Sequence, residues 1–139
     1  MYKVLLCCLM FFACTKDDDK PKQETNADKI IGKVWKMYYF EQDGIEDPVV
    51  GALGDTWHFR PDGLMTNVTS SVSDPYMAAT AKYTFVTDSK IEVQASITVP
   101  LNPYPYTIEV LLVSDTQFDF LIKSNHWPEI QKYKTFNER

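Results

Sequence analysis

From residue 33 onward, apolar and polar residues alternate with a period of two. That spacing belongs to strands that show one face to a core and the other to water. The clearest run sets Ile91, Val93, Ala95, Ile97 and Val99 against Lys90, Glu92, Gln94, Ser96 and Thr98. Trp35, Met37 and Tyr39 make a similar row, as do Trp57 with Phe59, and Tyr83 with Phe85. Two further rows are Tyr106, Ile108, Val110, Leu112 and Phe118, Phe120, Ile122. Turn-forming residues fall between them, at Asp43-Gly44, Pro61-Asp62-Gly63, Thr87-Asp88-Ser89 and Ser114-Asp115-Thr116. A longer connection, Pro100-Leu101-Asn102-Pro103, joins the two most apolar rows. The pattern predicts strands at 33–41, 54–60, 64–72, 80–87, 90–99, 104–113, 116–123 and 129–136. Eight short antiparallel strands in succession favour an all-β up-and-down barrel, because closure removes exposed edges. A two-sheet sandwich is the competing architecture. Asn26 to Gly32 reads as a helical turn or two, with Asn26 as cap and Gly32 as left-handed exit. Residues 44–53 and 73–79 read as loops.

The N-terminus has a different character. Lys3 is followed by an apolar run from Val4 to Phe12 and then by Ala13 and Cys14, the order of a secretory signal. At about 1.5 Å per residue the run is too short to cross a hydrocarbon core of about 30 Å. Phe11-Phe12-Ala13-Cys14 resembles a lipoprotein signal box. The resemblance implies cleavage before Cys14 and diacylation of its thiol, and two acyl chains make a stable anchor. An ordinary signal peptide, cut nearby and leaving Cys14 a free thiol, is the alternative. Thr15-Lys16-Asp17-Asp18-Asp19-Lys20 is similar to the export tag of surface lipoproteins in the Bacteroidetes group, which implies a place on the outer membrane facing outward. As bare chemistry the same run is a solvated tether. The expected organisation is a signal peptide at 1–13, a lipidated cysteine and acidic tether at 14–25, and one domain at 26–139.

That organisation changes what chemistry is open. The cysteines are Cys7, Cys8 and Cys14, so the mature domain has no thiol for a disulfide, a nucleophile or a metal thiolate. Loss of Lys3 takes the formal net charge from −5 to −6. With no basic stripe, the domain is a poor partner for nucleic acid.

The order of the aromatic strands is itself informative. Ile31-Gly32-Lys33-Val34-Trp35 opens the first strand after the short helix. Thr56-Trp57-His58-Phe59-Arg60-Pro61-Asp62-Gly63 follows, then Tyr83-Thr84-Phe85 with Lys90-Ile91-Glu92-Val93, and Ile108 to Val113 with Thr116-Gln117-Phe118. In this order and spacing the chain resembles the lipocalin-like lipoproteins of Bacteroidetes. The resemblance implies a small eight-stranded barrel with a Trp packed near its closed end. Two residues, Lys33 and Val34, separate Gly32 from Trp35, where lipocalins place one. The domain is also shorter than a ligand-carrying lipocalin. Both departures argue against a deep cavity.

Candidate chemistry is sparse. His58 and His126 have no carboxylate at helical ligand spacing, and a zinc site needs three or four converging ligands. They read as surface imidazoles, and no metal or other cofactor is expected. Ser70, Ser71 and Ser73 lack a nucleophile elbow. Glu92 and Glu109 could face each other across neighbouring strands, but outward charges usually serve solubility. The chain therefore reads as no enzyme. The excess lies in aromatics, 14% of residues, which break from the core pattern in three places. These are Tyr76 after Pro75, Tyr104 and Tyr106 each after a proline, and Trp127 before Pro128. Rigid aromatics stack on sugars or anchor partners at low entropy cost, and they can equally lid the open end of a barrel. The counted inward residues, Trp35, Tyr39, Trp57, Phe59, Tyr83, Phe85, Phe118 and Phe120, predict a filled interior. The expected role is a binding module for a small apolar ligand or a glycan, with Tyr76, Tyr104, Tyr106 and Trp127 as its site. The alternative is a structural or interaction subunit bound to an envelope protein.

Overall fold

The computed structural model describes residues 22–69, 77–97 and 104–138; Cys14, Tyr76 and the Pro100–Pro103 connection lie outside them. Among the described residues, one sheet holds nine strands in chain order. They are β1 (Val34–Gln42), β2 (Ile45–Glu46), β3 (Thr56–Phe59), β4 (Leu64–Thr69), β5 (Met77–Thr87), β6 (Lys90–Val93), β7 (Tyr106–Val113), β8 (Gln117–Lys123) and β9 (Gln131–Asn137). β2 is a short arm that pairs with the end of β1. The other eight form an antiparallel meander, and β1 pairs with β9 from Trp35↔Asn137 to Gln42↔Gln131. That last pairing closes the barrel, satisfies both would-be edges and excludes a sandwich.

One end of the barrel is plugged. Helix α1 (Asn26–Ile30) lies across it and buries Ile30 completely. Trp35 is fully buried beneath and donates its Nε1–H to the Ile30 carbonyl at 3.1 Å. Phe118 meets Trp35 edge-on at 5.4 Å, and Phe59 meets Phe118 at 5.9 Å and Tyr83 at 5.2 Å. Each such ring contributes about 1.5–3 kcal/mol through burial, with further gain from edge-to-face geometry. The helix is capped by Thr25 rather than Asn26. Thr25 Oγ1 accepts from the Asp28 amide at 3.2 Å, and the Asp28 carboxylate accepts from the Thr25 amide at 2.9 Å. Asn26 instead ties the helix to the β5–β6 turn, its amide donating to the Asp88 carboxylate at 2.7 Å. Gly32 takes the expected left-handed conformation, at φ 81°.

Four register slips among the described residues depart from strict alternation, one of them in β5 between Phe85 and Thr87. In β1 the pairing with β9 shifts between Met37 and Tyr39. Phe40 therefore turns inward, and Tyr39 stands outside with the Lys134 ammonium 4.5 Å over its ring. In β7 the shift falls between Val110 and Leu112 and leaves Leu111 and Leu112 half exposed. Regular pairing of β6 stops at Val93, well short of 99. The Gln94 amide donates to the Lys82 carbonyl and the Ile97 amide to the Thr80 carbonyl. Three residues thus oppose two, and this bulge turns Ile97 out to 60% exposure. The 44–53 segment also departs from a plain loop. It holds β2 and the short helix α2 (Pro48–Gly51), in which the Asp47 carboxylate accepts from the Val49 and Val50 amides at 3.0 Å.

Candidate functional site: the open mouth of the barrel

At the end opposite α1, the inward positions change character. Asp55, Asn67, Tyr106, Gln131 and Tyr133 occupy them, with Trp57, Thr69 and Ile122. Together with Trp127 these residues line a partly open cavity of about 240 Å³. The interior is therefore filled at the α1 end and hollow at the mouth. Of the counted aromatics Tyr39 stands outside, contrary to the inward expectation, because of the β1 bulge; the others pack in or against the core.

The cavity floor is aromatic. Phe120 stacks on Tyr133 at 5.1 Å, and Trp57 meets both rings edge-on, at 5.3 and 4.9 Å. Tyr133 holds its place by donating its hydroxyl to Gln131 Oε1 at 2.9 Å. Burial, reinforced by the Asp55 carboxylate nearby, pushes the Tyr133 hydroxyl well above the ordinary phenol value. Burial alone does the same to Tyr106. Both hydroxyls are neutral at any physiological pH, so each can donate or accept a hydrogen bond.

The polar wall is built by β3 and β4. Asn67 donates from Nδ2 to the Thr56 carbonyl at 3.1 Å and accepts the Thr69 hydroxyl at 3.0 Å, which leaves the amide fixed. Asp55 is placed by the turn before β3, where Gly54 sits at φ 73°, a conformation side chains resist. The Asp55 carbonyl accepts the Met37 amide at 2.7 Å and locks that turn to β1. On the opposite side the 124–130 segment folds over the mouth. The Ser124 hydroxyl donates to the Pro105 carbonyl and accepts the His126 amide. This lays Trp127 against Tyr106, with ring centroids 6.3 Å apart. The Trp127 Nε1–H is buried and meets no hydrogen-bond acceptor among the described residues. A buried donor left unmet costs about 1–3 kcal/mol.

Two solved structures are similar to this barrel. One is described as a lipocalin-like protein from Bacteroides uniformis ATCC 8492, with TM-score 0.56 at 11% identity over 80% of this chain and 99% of that one. The other is an uncharacterized protein from Bacteroides eggerthii DSM 20697, with TM-score 0.53 at 12% identity over 78% of this chain and 99% of that one. The fold is lipocalin-like. At such identities the likeness is one of fold. No family model matches the sequence, and no curated protein does.

Of the four aromatics singled out in the sequence, the barrel brings two together, Tyr106 and Trp127. Tyr104 stands outside the cavity lining, half exposed, and stacks on His126 at 4.3 Å. Tyr76 falls outside the described residues. His58 projects from β3 between the positions of Val34 and Thr66. Glu92 and Glu109 do not face each other. Glu92 lies opposite Thr107 and pairs with Lys90 at 3.6 Å, while Glu109 lies opposite Lys90 and pairs with Lys123 at 2.7 Å. They line an open groove on the outer wall, in which each charge is already matched by a neighbour. Sequence reasoning missed Asp55, Asn67, Gln131 and Tyr133. The one available signal was Asn67, a polar residue at an inward position of its strand.

Proposed function

We propose that this chain is a lipid-anchored, non-catalytic binding protein of the bacterial outer membrane, facing outward. Its ligand is a small neutral polar molecule held at the barrel mouth, and a terminal sugar residue of a glycan fits best. The observation that carries this reading is the Trp127 Nε1–H, buried without an acceptor at the edge of a cavity walled by aromatic rings and fixed amides. Aromatic faces suit the apolar face of a sugar ring, and planar polar groups such as Asn67 and Gln131 suit its hydroxyls. At about 240 Å³ the cavity is below the roughly 300–1,000 Å³ of typical small-molecule sites. It favours one ring over a long acyl chain. The polar lining likewise favours the glycan over an apolar ligand.

The anchor is supported by the setting of Cys14 and by the lack of cysteine in residues 15–139. The non-catalytic reading is supported by the lining. Asp55 is the one carboxylate among the described lining residues, whereas glycoside hydrolysis calls for two.

The test is native mass spectrometry of the mature chain lacking Cys14 against two defined panels, mono- to trisaccharides and saturated fatty acids. Sugar adducts that disappear in Trp127→Ala and Tyr106→Ala are expected. Fatty-acid adducts alone would replace the glycan with an apolar ligand. A clean spectrum with both panels would sink the ligand reading in favour of an interaction subunit. Palmitate labelling of cells carrying the wild type and Cys14→Ala checks the anchor separately.

A further inference from the structure

We infer that the outer wall formed by β7, β8, β9 and β1 rests on the membrane surface, so that the barrel lies on its side with its mouth clear of the lipid. The inference builds on the lipid-anchor reading above and adds which face of the barrel meets the bilayer.

Four large apolar side chains lie exposed on this wall: Tyr38, Leu111, Leu112 and Phe136, each 41–50% accessible. They are neighbours. Tyr38 and Phe136 have ring centroids 6.2 Å apart. Leu112 lies opposite Asp119, and Asp119 opposite Lys134 in the next strand. Asp119 of β8, which stands between Leu112 and the β9 strand, is only 8% accessible and accepts from the Gln117 amide at 3.0 and 3.1 Å. Two of the four register slips create the patch, because the bulges in β1 and β7 put Tyr38, Leu111 and Leu112 outside. Bulges usually re-aim side chains for a purpose, not by accident.

The tether says what covers this face. The chain enters the barrel through α1, and α1 packs at the end where β7 and β9 finish. There Leu112 and Phe136 stand within a residue of their strand ends, the Asn137 amide donates to the Thr116 carbonyl, and Lys33 meets Asp115 at 3.1 Å. Cys14 precedes Thr25 by eleven residues, a reach of no more than about 40 Å at roughly 3.5 Å per residue. A short leash of this kind gives the patch an effective concentration of order millimolar at the lipid surface, so weak insertion suffices. Lys36, paired with Glu138, stands opposite Phe136, and Lys134 stands opposite Asp119. Leucine and aromatic side chains rimmed by lysine match the apolar interior and anionic headgroups of a bilayer interface.

The experiment uses the lipoprotein purified from membranes and reconstituted into phosphatidylethanolamine–phosphatidylglycerol vesicles. With Cys14 acylated, a single introduced cysteine is the only thiol to label. Leu112→Cys carries an environment-sensitive dye on the patch, and Thr84→Cys carries it on the opposite wall, where the native residue is exposed. Brominated acyl chains should quench the dye at 112 several-fold more than at 84, with a blue shift at 112 alone. Adding Leu111→Ser and Phe136→Ser should abolish the difference. Equal quenching at both positions in vesicle-bound protein would overturn the inference and leave the anchor intact. A blue shift at 112 that grows with protein concentration in detergent, without vesicles, would assign the wall to a second copy and also overturn it. Failure to enter vesicles, with dye found on Cys14 as well, would remove the anchor and the inference with it.

Discussion

The two indoles at opposite ends of the barrel should answer oppositely to the same substitution. Trp35 is fully buried, and its Nε1–H is satisfied by the Ile30 carbonyl at 3.1 Å. Trp35→Phe strands that carbonyl beneath α1, at about 1–3 kcal/mol. It also leaves a void where the second ring stood, about 1 kcal/mol at roughly 24 cal/mol per Å³. The expected loss is thus about 2–4 kcal/mol, a large part of the roughly 5–15 kcal/mol that holds a domain together. At Trp127 the signs differ. The Nε1–H there has no acceptor, so Trp127→Phe removes a buried liability of about 1–3 kcal/mol, offset by the packing lost with the smaller ring. The net change should stay within about 1 kcal/mol of zero. Urea unfolding followed by circular dichroism, with equal m-values across variants, reads both numbers. Sugar binding should move the other way, falling about tenfold in Trp127→Phe for loss of one hydrogen bond. Equal destabilisation at the two positions would refute the reasoning, because it would mean that the Trp127 donor is satisfied in solution and is not held ready for a ligand.

Phe118→Ala removes the ring that bridges Trp35, Phe59 and Phe120, and should cost about 3–5 kcal/mol in the same urea assay. Asp47→Ala leaves the Val49 and Val50 amides without their cap, and should cost about 1 kcal/mol, seen as faster hydrogen exchange across α2. Gly54→Ala forces a side chain into φ 73°, and should cost about 1–2 kcal/mol and weaken ligand binding by shifting Asp55. Tyr106 and Tyr133 have folded values raised above the unfolded tyrosine value. Their contribution to stability is therefore complete below about pH 10 and lost as pH rises past it. Tyrosinate absorbance should show these two ionising only as the barrel unfolds, and their titration in the still-folded state would contradict the burial.

The barrel was legible because its strands obey a period of two and its turns carry Asp, Gly, Pro and Ser where tight angles are needed. Closure followed from the strand count and the cost of bare edges. The slips were not legible, for a reason visible in the residues. Met37-Tyr38-Tyr39-Phe40 and Val110-Leu111-Leu112-Val113 are apolar throughout, so alternation cannot choose which member faces inward. The bulge after Val93 sits in Ala95-Ser96, two small residues that fit either face. Helix α2 did leave a mark, since Asp47 followed by Pro48 is a cap followed by a favoured first helical residue. The cavity left almost none, because its lining comes from distant parts of the chain that meet only once β1 and β9 close the ring.

The distribution of polar residues inside the barrel argues for use over structure. At the α1 end the interior is indole, phenyl and aliphatic carbon, with the Trp35 donor matched and the Tyr83 hydroxyl donating to the Arg60 carbonyl at 2.6 Å. A barrel of this width could have continued so to the mouth, and apolar filling would have stabilised it more. Instead Asp55 and Asn67 are buried to 8% accessibility beside an empty volume, and an indole N–H points at no acceptor. A buried donor without an acceptor lowers stability unless something later meets it. Such departures from consistent packing concentrate at functional sites. Here the unmet Trp127 donor lies at the mouth, opposite α1.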